Sequence, residues 1–308
     1  MFDVNSRLSL ILDFIPLLRT MTPSRDETLS DFSRRLMCKV FTQLPENLCQ
    51  LHVVSDRYDG IYGIKDPTGS PVCLKDSSGC HRRRGELSLK FSTTNSDSIK
   101  LGDSWQSILR SSSCKANLVA FIYEFWSNVG SKSKNFDIIL AGCFPDRRHV
   151  GILPPNRKGS LEPLPPLSLE LASTHEEADM PVAVHVASSF RNGSSSVIVW
   201  ANDTNILVIL LQHSSTLLAT KENKKELFLQ FPDRIFPVHE LAISIPRDFI
   251  DSIGLLHCLS GTDTTSFAYS VGKKTFMKAA LKFALIMICS AWSRIFFFFF
   301  FFWCLTIA

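Results

Sequence analysis

Carboxylates recur at the ends of apolar runs in this chain, and their types and spacing suit metal-ion chemistry. The members of this acidic set are Asp13, Asp56, Glu177, Asp179, Asp203 and Asp263. Gathered carboxylates repel one another unless a cation neutralises them, and Mg²⁺ and Mn²⁺ prefer oxygen ligands. Two such ions activate a water molecule and stabilise the leaving oxygen of a phosphodiester. The set predicts such a site, although a single Asp after a strand is more often a turn former or a helix cap.

The elements that must position these residues follow from hydrophobic periodicity. Apolar residues recur at helical intervals from Leu29 to Phe41, and residues 51–54 form a predicted buried strand. A second predicted helix, residues 105–129, precedes a predicted strand over residues 136–141. The polar stretch 56–103 is expected to be mostly loop, and the Pro-rich stretch 153–166 is expected to be a surface connection.

The third region of the chain shows the clearest alternation of strand and helix patterns. Residues 167–171 and 197–200 are predicted strands, and residues 175–189 form a predicted helix with Thr174 as its N-cap. Residues 206–211 form an apolar element that fits either a helix or a strand. Such alternation favours an α/β fold with a mostly parallel sheet, whose sites form beyond the carboxyl ends of its strands.

Charge and cysteine usage narrow the class of protein. The net charge of +4 over 308 residues is mild and does not by itself demand a nucleic-acid partner. The nine cysteines are odd in number and contain no C-x-x-C pair, which predicts free thiols in an intracellular protein, nuclear or cytoplasmic. Cys73, Cys80 and His81 lack the second cluster that a zinc site needs. Sequence signatures of serine hydrolases, P-loop NTPases, zincins and dinucleotide-binding enzymes are absent.

The C-terminal segment 283–308 is almost wholly apolar and contains an unbroken phenylalanine run over 296–302. Its length permits a membrane span, which needs about 20 apolar residues. Arg294 opposes this interpretation, because a central Arg costs about 2.5 to 3.5 kcal/mol on insertion. A translated poly-T tract, that is, a gene-prediction artefact, and a buried helix are the two other interpretations.

The order and context of the acidic residues resemble the flap-endonuclease and XPG-like family of PIN-type nucleases. The element 53–56, with Lys65 and residues 82–84 after it, resembles the family's strand, metal-binding Asp and downstream Lys/Arg helix. The element 175–179 resembles its E-A-E element. The element 202–207 resembles D-x-D-x-L, and 259–265 resembles G-C-D. The chain is also similar to transposon-associated PIN-like proteins of invertebrates. The resemblance covers most of residues 8–280 as one domain, closest over 173–278 and least before residue 50.

The resemblance implies roles for individual residues. All six members of the acidic set would hold two Mg²⁺ or Mn²⁺ ions, with Asn205 as a provisional member. Lys65, Arg82 and Arg83 would act near the scissile phosphate, and Arg84, Lys273 and Lys274 would bind the nucleic-acid backbone, DNA being favoured over RNA. A helix-turn-helix element is expected near residues 259–280. Without the family, a solvated surface patch is the favoured interpretation of residues 82–84, Lys273 and Lys274.

Three departures from the family pattern affect the expected activity. Asn205 stands where the second Asp of the D-x-D pair is expected and removes a charge from the site. Phe14 follows Asp13 where the family prefers Gly, so Asp13 is either the first metal ligand or a structural residue. Pro181 fits a helix only near the helix start.

Two other functions compete with a nuclease. A binding module that recognises nucleic acid or protein without cutting is favoured by Asn205. A membrane-anchored interaction protein is favoured by the apolar tail, in which case the acidic residues only cap secondary structure. The single histidines His185, His239 and His257 are interpreted as structural.

Overall fold

The computed structural model describes residues 7–56, 74–75, 81–82, 91, 96–102, 105–129, 136–142, 150–153, 171, 178–219, 225–261 and 272–288. The chain divides into two compact units. The first unit is Met1–Asn202 with Gln230–Asp233, and the second is Asp203–Leu229 with Arg234–Ala308. The predicted single domain over residues 8–280 spans both units.

The first unit alternates strands with helices. Its strands are β1 (Leu8–Asp13), β2 (Leu48–Val54), β3 (Leu74–Lys75), β4 (His81–Arg82), β5 (Asp137–Ala141), β6 (Val150–Leu153) and β7 (Ser196–Trp200). Its helices are α1 (Phe14–Thr20), α2 (Leu29–Phe41), α3 (Trp105–Arg110), α4 (Ser112–Val129) and α5 (Asp179–Arg191). Strands β3 and β4 form a separate antiparallel pair.

The main sheet of the first unit is mostly parallel. Its strand order is β6-β5-β2-β1-β7, and β1 pairs in parallel with both β2 and β7. Strand β2 pairs in parallel with β5, whereas β5 and β6 are antiparallel. The apolar strands are buried because helices cover the sheet, as parallel sheets require. The predicted α/β class with a mostly parallel sheet is therefore confirmed.

Aromatic side chains fill the core beneath α2 and α4. The Phe14 ring lies 5.6 Å from the Tyr123 ring and 5.7 Å from the Trp126 ring, centroid to centroid. Phe32 contacts Trp105 at 4.9 Å. Tyr123 donates from its hydroxyl to the backbone carbonyls of Val53 and Ala141, at 3.3 and 3.1 Å. These contacts fix α4 against the ends of β2 and β5, where the predicted site lies.

The second unit is mainly helical. It contains the helices α6 (Thr204–Gln212), α7 (Ser214–Leu217), α8 (Val238–Ser244), α9 (Arg247–Leu259) and α10 (Lys273–Ile288). Strands β8 (Glu226–Gln230) and β9 (Ile235–Pro237) are neighbours, and β8 ends in Gln230, which belongs to the first unit. Helix α9 packs against both α6 and α10.

Several predicted elements are confirmed and others need correction. Helix α2 and strands β2, β5 and β7 form where the patterns predicted them, and residues 206–211 belong to a helix. The single helix predicted over 105–129 is wrong, because the chain leaves helical geometry at Ser111. Helix α5 begins at Asp179 with Ala178 at the N-cap, so Thr174 is not the cap residue; Pro181 lies in the first turn, as expected. Strand β6 was not predicted.

The apolar tail lies outside the described residues from position 289 onward. Within the described helices, none combines the length and the hydropathy that a bilayer span requires. The described part also omits residues 167–170 of the predicted strand 167–171, the zinc candidates Cys73 and Cys80, and most of the stretch 56–103.

Candidate metal and nucleic-acid site

In the first unit, two members of the acidic set lie at one edge of the sheet. Asp13 is the last residue of β1 and pairs in register with Val54, the last residue of β2. Asp56 follows Val54 by two residues, so the parallel arrangement places both carboxylates beyond the same carboxyl edge. Asp13 is buried, with 5% of its surface exposed, and Asp56 is half-buried. We refer to Asp13, Asp56 and Asp179 as the acidic edge.

Asp179 joins this edge through a contact between a strand end and a helix start. The Asp56 carboxylate oxygen Oδ1 accepts a hydrogen bond from the Ala178 backbone N–H at 2.9 Å. Ala178 occupies the N-cap position of α5, and Asp179 lies in the first turn. Two carboxylates therefore lie at the N-terminal end of a helix, where the backbone N–H groups of the first turn carry a positive partial charge. The same contact is equally consistent with a structural role, in which Asp56 caps the start of α5 from a distant part of the chain.

Close backbone packing beside Asp56 fixes the edge further. Ser55 donates from its backbone N–H and its hydroxyl to the Ala141 carbonyl, at 2.9 and 3.2 Å. Gly142 follows with φ of +129°, and a Cβ at this position would collide with the Ser55 side chain. Glycine is required here because side-chain-bearing residues rarely adopt such a conformation. Gly142 was not among the residues predicted from the sequence.

In the second unit, Asp203 caps helix α6. Its Oδ1 atom accepts from the Asn205 backbone N–H at 2.8 Å, and its Oδ2 lies 3.4 Å from the Asn205 side-chain Nδ2. Both carboxylate oxygens thus have donors within the first turn of their own helix. This is the ordinary role of an Asp at an N-cap, and it leaves further lone pairs on each oxygen.

His257 on α9 holds the other end of the Asn205 amide. Its Nε2 atom lies 2.7 Å from Asn205 Oδ1, and because an amide oxygen only accepts, Nε2 carries the proton. The Lys273 ammonium lies 3.4 Å from the same Nε2 and 3.2 Å from the Gly261 carbonyl. An ammonium group only donates, and His257 Nε2 already carries a proton, so Lys273 donates to the Gly261 carbonyl. The polar chain Asp203–Asn205–His257–Lys273 is formed entirely within the second unit.

The electrostatic surroundings of His257 favour its neutral form. Burial lowers the pKa of His257, the nearby Lys273 ammonium lowers it further, and the Asp203 carboxylate opposes both effects. A proton on Nε2, as in this neutral tautomer, satisfies the Asn205 contact. His257 was interpreted as structural from the sequence, and no local signal points to its contact with Asn205 because the two residues are 52 positions apart along the chain.

The fit of this arrangement to a metal site differs between the two units. In the first unit, oxygen ligands at one sheet edge suit a hard divalent ion. In the second unit, the Asn205 amide directs its NH₂ group toward Asp203 and its oxygen toward His257, so the imidazole already occupies one lone pair of that oxygen. Among the described residues, no three acidic, His or Cys side chains come close enough to enclose a metal. Glu177 and Asp263 lie outside the described part.

The basic residues predicted to bind phosphates are only partly described. Lys273 and Lys274 are exposed at the start of α10. Arg82 belongs to β4, although nothing is described of its side chain, and Lys65, Arg83 and Arg84 lie outside the described residues. The predicted helix-turn-helix element near 259–280 overlaps only the last residue of α9 and the first part of α10. The two helices are in mutual contact, and the segment 262–271 between them lies outside the described part.

Comparison with known proteins adds no relative: no family model, no curated protein and no solved structure matches this chain.

Proposed function

We propose that this chain is a nuclease-like protein of PIN type that hydrolyses phosphodiester bonds in nucleic acid, with Mg²⁺ or Mn²⁺ bound by carboxylates. The observation that carries the proposal is the acidic edge, in which Asp13 and Asp56 follow adjacent parallel strands and Asp179 begins the helix that Asp56 caps. Like charges gather in this way where a cation or a helix dipole compensates them.

The proposed roles follow from side-chain chemistry. The proposed metal ligands are Asp13, Asp56, Glu177 and Asp179 in the first unit and Asp203 and Asp263 in the second. Bound ions would supply an activated water and neutralise charge on the phosphate. Lys65, Arg82 and Arg83 would add positive charge near the scissile phosphate. Arg84, Lys273 and Lys274 would contact the phosphate backbone, which predicts salt-dependent binding without sequence preference, with DNA favoured over RNA.

A second candidate function, a module that binds nucleic acid without cutting it, is favoured by one specific contact. His257 donates to Asn205 Oδ1 at 2.7 Å, at the position where the resemblance expects a second metal-binding carboxylate. An amide held in this way contributes no charge to an ion, and its oxygen already accepts a hydrogen bond from His257. The exposed lysines of α10 would still bind phosphates, so the protein would bind nucleic acid without cutting it.

The experiment that tests the proposal is cleavage of labelled flap and single-stranded DNA by the full chain, with Mn²⁺ or with EDTA. An active nuclease cuts only with the metal. Its rate falls by at least about 100-fold in Asp56→Asn and in Asp203→Ala, since loss of a ligand costs no less than loss of a second-shell group. DNA binding persists in both variants.

Matched controls exist in each unit. Asp26 forms an exposed ion pair with Lys100 in the first unit, and Asp251 forms one with Arg247 in the second. Asp26→Asn and Asp251→Asn remove a carboxylate away from the proposed site and are expected to leave cleavage unchanged. Binding without cleavage in every variant supports the binding module. Equal loss of cleavage in the controls contradicts the assignment of the site.

A further inference from the structure

Two histidines meet in the core of the first unit. His52 on β2 is 0% exposed, His185 on α5 is 1% exposed, and their Nδ1 atoms lie 2.8 Å apart. The sheet neighbours of His52 in register are Ile11 and Ile139, both buried. We refer to this contact as the His52–His185 pair. It places two ionisable rings in an apolar layer between a helix and the sheet.

The surrounding hydrogen bonds determine where the protons lie. Ser189 donates its only hydroxyl proton to the His185 carbonyl at 2.9 Å, so its oxygen accepts from His52 Nε2 at 3.1 Å. His52 Nδ1 is therefore unprotonated and accepts from His185 Nδ1–H. His185 Nε2 is left with a lone pair, is buried, and finds no hydrogen-bond partner among the described residues.

Both rings are consequently held neutral. Burial, and secondarily the neighbouring His185 ring, lowers the pKa of His52 well below its usual value. Burial lowers the pKa of His185 to about 3. Helix α5 packs against β1, β2 and β7, and β5 pairs with β2. The other titratable or charged residues on these elements are Asp13, Cys49, Asp137, Asp179 and Arg191. The two shifts arise from burial and from the two rings themselves.

A catalytic interpretation of Ser189, His52 and His185 does not hold. The order of contacts resembles a serine, a base and an orienting group, but Ser189 and His52 are both 0% exposed. The Ser189 proton is also directed at a carbonyl and not at the imidazole. No substrate reaches these atoms in the folded unit, so the pair acts through stability.

Helix α5 connects the pair to the acidic edge. The residue before its first turn, Ala178, donates to Asp56 at 2.9 Å, and Asp179 begins the helix. A proton on His52 Nδ1 would place its N–H directly against the Nδ1–H group of His185. A proton on His185 Nε2 would create a buried positive charge for which the described residues offer no hydrogen-bond acceptor. The first proton breaks the polar contact between α5 and β2, whereas the second leaves that contact in place but adds the cost of an unpaired buried charge, so each proton destabilises the packed state.

We propose that the His52–His185 pair is a pH-sensitive contact that holds α5 on the sheet at neutral pH and releases it, with the Asp56 contact, as the pH falls. The rings are neutral in the packed state, and in the released state each titrates near its ordinary value of about 6.5. The released state therefore binds up to two more protons below that pH. Its population relative to the packed state rises about 100-fold between pH 7.5 and 5.5 for two protons, or about 10-fold for one.

Amide hydrogen exchange of the full chain at pH 7.5, 6.5 and 5.5, corrected for intrinsic rates, tests this proposal. The opening equilibrium of α5 amides is expected to rise about 100-fold over this range, while α2, which contains no histidine, changes far less. His185→Asn retains a donor near the Nδ1 position but removes one titrating ring, so the rise should fall to about 10-fold. His213→Asn, at an exposed histidine, should behave as the parent.

The tautomers provide a second measurement that needs no variant. Nitrogen NMR shifts of the imidazoles at pH 7.5 should report a proton on Nε2 of His52 and on Nδ1 of His185. A pH-independent opening of α5, an equal rise in α2, the full rise in His185→Asn, or imidazolium signals near pH 6.5 with α5 still protected would each overturn the proposal.

Discussion

Each unit of the molecule contains a histidine that contacts a polar side chain, and the two surroundings differ. The His52–His185 pair lies in an apolar layer and has only another neutral ring and a serine as partners. His257 contacts Asn205 and lies near the Lys273 ammonium. Burial lowers the pKa in both places, but only His257 has charged groups, Lys273 and Asp203, that affect it. A histidine that is buried away from charged groups packs as a core residue, whereas a histidine that lies beside charged groups belongs to a polar site.

The largest expected effect comes from removing the buried ring. His185→Ala leaves a cavity and deprives His52 Nδ1 of its donor, so we expect a loss of about 3 kcal/mol in the free energy of unfolding. His257→Ala, in the polar site, should cost about 1 kcal/mol. Urea denaturation of both variants at pH 7.5 measures the difference. Equal losses would contradict the distinction between the two histidines.

A matched pair of serines tests the same distinction more finely. Ser189 and Ser260 each donate to the carbonyl of a histidine, at 2.9 and 2.8 Å, but only Ser189 also accepts from a buried imidazole. Ser189→Ala leaves the His52 N–H unpaired and should cost about 2 kcal/mol, against about 0.5 kcal/mol for Ser260→Ala. Thermal unfolding at pH 7.5 compares the stability losses of the two variants. A larger loss in Ser260→Ala would contradict the distinction between the two serines.

Variants of Asn205 test whether His257 prevents residue 205 from binding a metal ion. Asn205→Asp adds a carboxylate, but His257 donates to its oxygen and Lys273 lies close by, so Mn²⁺ affinity should scarcely change. In Asn205→Asp with His257→Phe this donor is absent, and we expect binding about 10-fold tighter than in the parent. Calorimetric titration with Mn²⁺ measures both. Tighter Mn²⁺ binding by Asn205→Asp alone would show that His257 does not prevent residue 205 from acting as a metal ligand.

The smallest expected effect concerns the exposed lysines of α10. Lys274→Ala should weaken DNA binding uniformly across sequences and reduce the slope of log affinity against log salt by about 1. Lys278→Ala, one helical turn further along α10, is the matched control. A fluorescence anisotropy titration at several salt concentrations distinguishes the two. An unchanged slope in Lys274→Ala would exclude a phosphate contact at this lysine.

Much of the first unit could be predicted from the sequence, because local patterns carry the information. The apolar strands β2, β5 and β7 and the amphipathic helix α2 follow from periodicity alone. The break at Ser111 could not be predicted, since apolar residues continue on both sides of it. Strand β6 was missed because Val150–Leu153 is short and adjoins a Pro-rich stretch.

The candidate site was only partly predictable for a different reason. Carboxylates after strands indicated the acidic edge, because strand ends of a parallel sheet share one side. The partners of buried histidines depend on packing between distant segments: His52 and His185 are 133 residues apart along the chain. The Ala178 contact to Asp56 likewise spans 122 residues. No local pattern records such contacts.

The proposed function depends on the acidic edge binding a divalent ion, and electron paramagnetic resonance of Mn²⁺ added to the full chain tests this most directly. We predict a bound ion whose affinity falls at least about 10-fold in Asp13→Asn and in Asp56→Asn, and is unchanged in Asp26→Asn. No bound Mn²⁺, or the same affinity in all three variants, would contradict the proposed metal site and leave the binding module as the better account.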